Sequence, residues 1–182
     1  RPVLNPSGLF LSERPKGSSG SAVICSLEGT RPLLMEIQSL VSTSGFGHPR
    51  RVAVGVDANR VSLLIAVLEK RAGLSLGGED VYVNVAGGLS VGEPTADLGL
   101  TASIASSFRG QSICGETVLV GEVGLAGEVR PAQQIALRVK EVARLGFERV
   151  VVPSANCPIP EAPKDLEIVE VSNISQMMEL IF

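Results

Sequence analysis

The sequence predicts an α+β (mixed α/β) domain, with helices packed on a β-sheet. Three observations point there. The 182 residues are 45% apolar but only 3% aromatic, with no Trp and 20 Gly, so the core is built from Val, Leu, Ile and Ala. Short β-like runs alternate with segments whose apolar residues recur at helical spacing. Their order, roughly βββαβαββαββα, departs from the strict βαβ alternation of a dinucleotide-binding sheet.

Residues 1–20 carry Pro2, Pro6, Pro15, Gly17 and Gly20 and read as a connector. Within it, Leu9-Phe10-Leu11 is apolar enough to dock. The domain proper is expected over residues 21–182. Ser21 to Leu27 is a β-like run, Glu28-Gly29-Thr30-Arg31 a turn, and Pro32 to Ser42 a second run, which together predict a hairpin. Ser44 to Pro49 is a loop, and Arg51 to Val56 alternates as a third strand. Asp57 is an N-cap for a helix bearing Val61, Leu64, Ile65, Leu68 and Ala72, which Gly73 closes.

Val81 to Ala86 reads as a buried strand, interrupted by Gly87-Gly88. Pro94 suits the first turn of the next helix, which reaches Phe108 and is rich in small residues. Such a helix can lie very close to its neighbours. Thr117 to Gly121 and Glu128 to Val129 read as β. Ile135, Val139, Val142 and Ala143 mark a helix from about Ala132, ended by Gly146. Arg149 to Val152 and Glu167 to Val171 are strands, and Ile174 to Phe182 is a closing helix.

Composition bounds the function. No apolar run approaches the roughly 20 residues that span a bilayer, and no basic-then-apolar leader is visible. Cys25, Cys114 and Cys157 are scattered without CxxC spacing, which argues against a disulfide framework or a zinc site. His48 is the one histidine, so a His-based triad is excluded. The net charge of −3 gives no global attraction to nucleic acid. Gly87-Gly88 is not followed by Gly-Lys-Ser/Thr and is no phosphate-binding P-loop. Glu93 and Asp97 are read as partners of a helix N-terminus rather than as an acid–base pair. The chain begins at Arg1-Pro2 rather than Met, as expected for a piece of a longer protein.

Three groups of segments carry a resemblance over nearly the whole chain. They are Leu9 to Pro15 with Glu28 to Leu33; Asp57 to Leu64 with Leu68 to Arg71; and Tyr82 to Gly88, Glu93 to Leu98 and Gly121 to Arg130. In this order and spacing they resemble the Lon protease domain, and more closely its RadA (Sms) relatives. The resemblance implies a Lon-protease-like fold, that of domain 2 of a ribosomal small-subunit protein. Active members use a Ser nucleophile at a helix start and a Lys base. Here Pro94-Thr95-Ala96-Asp97 puts Thr95 at the nucleophile position, and Gln133-Gln134-Ile135-Ala136 puts Ala136 at the base position. A hydroxyl is a weak nucleophile until a base takes its proton, and alanine cannot take one. Lys140, one turn beyond Ala136, is the alternative base.

The resemblance further implies a parent with a zinc finger and a RecA-like ATPase, so ATP, Mg and Zn belong to it rather than to these residues. It implies a non-proteolytic domain of a DNA repair and recombination protein. The expected partners are further copies in a ring, expected to be a hexamer, DNA during branch migration, and a recombinase filament through the parent. The expected compartment is a bacterial cytoplasm or a plant organelle. Arg50, Arg51, Arg60, Arg130, Arg138, Lys140 and Arg144 are the candidate DNA contacts, by phosphate neutralisation rather than base stacking. Asp57 to Arg60 is the expected subunit- or DNA-facing element. Two other readings compete: a peptidase using Thr95 with Lys140, and an oligomerisation scaffold without DNA contact.

Overall fold

The computed structural model describes residues 6–45 and 47–182, apart from the side chains of Pro6, Leu9 and Phe10. The expected docking of Leu9 and Phe10 therefore lies outside the described side chains. The elements run α1 (Pro6–Leu11), β1 (Ser21–Glu28), β2 (Arg31–Thr43), β3 (Arg51–Val54), α2 (Ala58–Ala72), β4 (Glu79–Val85) and α3 (Asp97–Arg109). They continue with β5 (Thr117–Leu119), β6 (Glu122–Val123), β7 (Val129–Arg130), α4 (Ile135–Arg144), β8 (Arg149–Pro153), β9 (Glu167–Val171) and α5 (Ile174–Ile181). This is the mixed α/β layout expected.

Seven strands form one sheet in the order β3-β4-β2-β1-β5-β8-β9. β2 runs antiparallel to both β1 and β4, while the β3–β4, β1–β5, β5–β8 and β8–β9 pairs are parallel. β1 sits at the centre and is buried on both faces. Its Ala22 and Ile24 join one apolar cluster with residues of α2, α3 and α5. Its Val23 and Cys25 join another with Val139 and Val142 of α4. The alternation of a strand's side chains thus divides the core into two layers.

Local chemistry sets the helix ends. The Asp57 carboxylate accepts the Asn59 and Arg60 N–H groups, and Gly73 takes the left-handed conformation (φ 71°) that closes α2. In α3, Gly99 permits the close approach expected of a small-residue helix. A Cβ there would sit 2.1 Å from Ile24 Cγ2.

Three differences from the sequence reading have physical causes. The stretch read as a connector contains α1, whose buried Ser7 accepts the Leu34 N–H. β4 pairs with β2 only from Ile37 onward, so that N–H needs another acceptor. β6 is an added short strand, paired with β7 across the Gly124–Gly127 turn. α4 starts at Ile135 rather than Ala132, because Asn156 clamps the Ala132 backbone through both its N–H (2.8 Å) and its carbonyl (3.0 Å).

Candidate functional site

Thr95 lies in a tight 3-10 turn, Pro94–Ala96, that leads into α3. The Gly121 N–H donates to the Thr95 carbonyl at 2.9 Å, which pins the turn to the strand region after β5. The residue is only 7% exposed. Its hydroxyl faces Arg138, which projects from α4 and is completely buried.

Arg138 is saturated. Nη1 donates to Thr95 Oγ1 (3.2 Å), the Cys25 carbonyl (2.8 Å) and Glu93 Oε2 (3.0 Å). Nη2 pairs with Glu93 Oε1, and Nε donates to the Gln133 carbonyl at 2.8 Å. Glu93 Oε2 also accepts from Ser26 Oγ (3.0 Å) and the Leu27 N–H (2.9 Å). Burial pushes the Glu93 carboxyl up. The Arg138 guanidinium, the Leu27 N–H and the Thr95 hydroxyl outweigh it and hold the group below the usual carboxylate range. Cys25, behind Arg138, has a thiol pushed up by burial to about 12.

The chemical capacity of this cluster follows. A guanidinium has five N–H donors and no acceptor, and it stays protonated. The Thr95 hydroxyl therefore accepts from a permanent cation, and the carboxylate beside it, Glu93, is held below the usual range by that same cation, which makes it a weak proton acceptor. Ala136 supplies none. Lys140 does not turn toward Thr95: its ammonium pairs with Glu161 at 2.6 Å, with the lysine side chain 53% exposed. The Thr95–Lys140 dyad is not assembled. The Thr95 hydroxyl bonds Arg138 rather than the free backbone N–H groups of the helix start.

A second pair, its carboxylate buried and its arginine partly exposed, stands beside the first. Asp97, 1% exposed, accepts from Arg60 Nε (2.9 Å), pairs with Arg60 Nη2 and accepts the Val123 N–H at 3.0 Å. Arg60 Nη2 also donates to the Val123 carbonyl at 3.1 Å. The Asp97 carboxylate drives Arg60 further up from its ordinary value. Glu93 and Asp97 thus each hold their own arginine and are not an acid–base couple. Glu93, Asp97 and Arg60 border a cleft of about 190 Å3, with Val56, Val91 and Leu100 as its apolar wall.

The candidate DNA contacts divide. Arg138 has no exposed surface and is corrected to an internal role, whereas Arg60 is one-third exposed with its Nε and Nη2 engaged by Asp97 and Val123. The Asp57–Arg60 segment is likewise used within the fold, as cap and ion pair. Arg51 is half-buried and donates to the Leu76 (3.1 Å) and Glu79 carbonyls. Arg50, Arg130, Lys140 and Arg144 are exposed. Arg130 lies 3.6 Å from Glu128, and Arg144 pairs with Glu141 at 2.7 Å. Of these four exposed cations, only Lys140 and Arg144 share a helix, one turn apart on α4.

The sequence reading missed Arg138 as the centre of the site, although a signal was present. Ile135, Arg138, Val139 and Val142 form one i, i+3, i+4, i+7 stripe, so Arg138 stands on the apolar face of α4. Among the described residues, no three His, Cys, Asp or Glu side chains come together as a metal site. No described helix is long and apolar enough to cross a membrane.

Comparisons with known proteins agree with this architecture. Residues 73–182 match the Lon protease (S16) C-terminal proteolytic domain. The chain is 51% identical, over 98% of its length, to DNA repair protein RadA of Halalkalibacterium halodurans, and covers 39% of that protein. It is 52% identical over 97% of its length to DNA repair protein RadA of Bacillus subtilis, covering 38% of it. Against DNA repair protein RadA of Streptococcus pneumoniae the identity is 42% over 99%, covering 43%. The chain therefore spans about two-fifths of the length of these relatives. It belongs to the Lon protease C-terminal domain family and is a Lon-like domain of the RadA type.

Proposed function

We propose that this domain is the non-proteolytic Lon-like part of a RadA-type DNA repair ATPase, serving ring assembly and sequence-independent DNA binding during branch migration. The observation that carries the non-proteolytic reading is the Arg138 guanidinium on the Thr95 hydroxyl. A donor-only group, its charge held by Glu93, stands at that hydroxyl, and Ala136 at the base position carries no proton acceptor. In this reading ATP, Mg and Zn are handled by other parts of the parent, which also meets the recombinase filament. The relatives' bacterial sources support a bacterial cytoplasm.

DNA contact in this reading falls to exposed cations, with Arg50, Lys140 and Arg144 foremost. Backbone contacts of that kind weaken steeply with salt. A scaffold without DNA contact is the second reading. It is favoured by the carboxylates beside the exposed cations, Glu161 at Lys140 and Glu141 at Arg144.

The test has three arms. Casein and peptide hydrolysis by the chain and by Thr95→Ala should both equal the buffer blank. Cleavage lost on Thr95→Ala would refute the non-proteolytic reading. Light scattering should give a mass several times that of one chain. Mobility shifts at low salt should weaken in Lys140→Ala/Arg144→Ala, while intact rings with no shift at any salt would establish the scaffold.

A further inference from the structure

A pair of adjoining clefts near the start of β1, away from the Leu27 end that meets Glu93, is used by none of the chemistry above. One, of about 270 Å3, has an apolar wall of Leu11, Leu145 and Phe147. The other, of about 210 Å3, is lined by Ser18, Ser21 and Ser112 with the Gly17 and Gly115 backbone. Arg14, Lys16 and Glu116 border both. One end is thus apolar with one aromatic ring, the other rich in hydroxyl and amide groups, with two cations between.

The charges at that junction are not saturated. Arg14 Nη1 lies 3.7 Å and Lys16 Nζ 3.8 Å from the Glu116 carboxylate, beyond hydrogen-bond distance. Glu116 is the one carboxylate among the described ion pairs that faces two cations. Arg14 is held in place from behind. Its Nε donates to Ser21 Oγ at 3.2 Å, and Ser21 donates in turn to the buried Glu36 carboxylate at 2.7 Å. The Arg14 side chain is 13% exposed and oriented, while the Lys16 side chain is 87% exposed and free to move. A fixed guanidinium fork beside a mobile ammonium is suited to a phosphate group.

We propose that these clefts bind a nucleoside 5′-phosphate, with the phosphate between Arg14 and Lys16 on the serine side and the base against Phe147. The free nucleotide and the phosphorylated 5′ end of a nucleic-acid strand present the same chemistry. Glu116 opposes the ligand, because its carboxylate competes for both cations. This site goes beyond the assembly and backbone-binding roles given above and uses none of their residues.

The experiment titrates the 182-residue chain with AMP, adenosine and inorganic phosphate by calorimetry. A labelled oligonucleotide, with and without a 5′-phosphate, is followed by anisotropy. AMP should bind more tightly than either adenosine or phosphate. Lys16→Met, at an exposed position that keeps the fold, should weaken AMP by about threefold or more, and Glu116→Gln should tighten it by a similar factor. These opposite signs distinguish the site from a general loss of structure. AMP that competes with the 5′-phosphorylated strand supports both sources, whereas binding of only one assigns the source. Adenosine equal to AMP, phosphate equal to AMP, no binding at millimolar AMP, or indifference to both substitutions would each overturn the proposal. Because Arg50, Lys140 and Arg144 are untouched, loss of DNA shift in their variants with AMP binding intact separates failure of the earlier reading from failure of this one.

Discussion

Replacing Arg138 by Met removes the cation but keeps much of the side-chain volume. The structure sets the cost. Glu93 loses both hydrogen bonds from the guanidinium, and the Cys25 and Gln133 carbonyls and the Thr95 hydroxyl lose a donor each. Removing one member of a buried pair costs about 3–5 kcal/mol, because the remaining charge is uncompensated. Glu93 keeps Ser26 and Leu27 as donors and is 22% exposed, which places the loss toward the lower end. In a domain of this size that lowers Tm by about 10 °C. Urea unfolding followed by circular dichroism measures it directly. The double variant Arg138→Met/Glu93→Gln removes the orphaned charge and should recover at least about 1 kcal/mol of the loss. A single variant within about 1 kcal/mol of the parent, or a double variant no better than the single, would show that the cluster is not held by charge pairing.

The same carboxylate predicts an acid limb. With Glu93 held below its ordinary 4.5, its contribution is present above that value and is lost as pH falls through the lower folded value. Glu93→Gln should flatten stability against pH below about 4.5, and an unchanged slope there would assign the limb to other groups. Thiol alkylation should find Cys114 first, since it is exposed, while Cys25 stays silent until unfolding because it is buried with its thiol pushed up to about 12. Rapid native labelling of Cys25, read by mass spectrometry, would contradict the packing of β1 against α4. Gly99→Ala should destabilise by about 1–3 kcal/mol through its clash with Ile24. Its cost should shrink in an Ile24→Ala background, and additive losses in that double-mutant cycle would place the strain elsewhere.

Elements fixed by local chemistry were readable in the sequence. The Gly29 turn, the Asp57 cap with its Gly73 stop, and the Glu167–Val171 strand all stand where expected. So does the helix entry at Pro94 that carries Thr95. What the sequence concealed depended on distant partners. Asp97 lies 37 positions from Arg60, and Glu93 lies 45 from Arg138. A charge read by itself looks like a surface group, and only its partner reveals that it is internal. Arg138 could have been recognised from its place on an apolar stripe, but Arg60 could not. The late start of α4 was hidden for the same reason, since the Asn156 side chain that clamps Ala132 comes from 24 residues downstream.

The central place of β1 has a consequence for how the chain is made. Its hairpin with β2 closes locally, but its other edge waits for Val118 and Leu119 of β5. A ribosome adding about 5–20 residues per second leaves that edge open for several seconds after the hairpin emerges. During that interval the strand is a template for any other extended chain nearby. Synthesis halted before β5 would therefore yield an aggregating half-sheet, and the vulnerable moment in this domain's life precedes its completion.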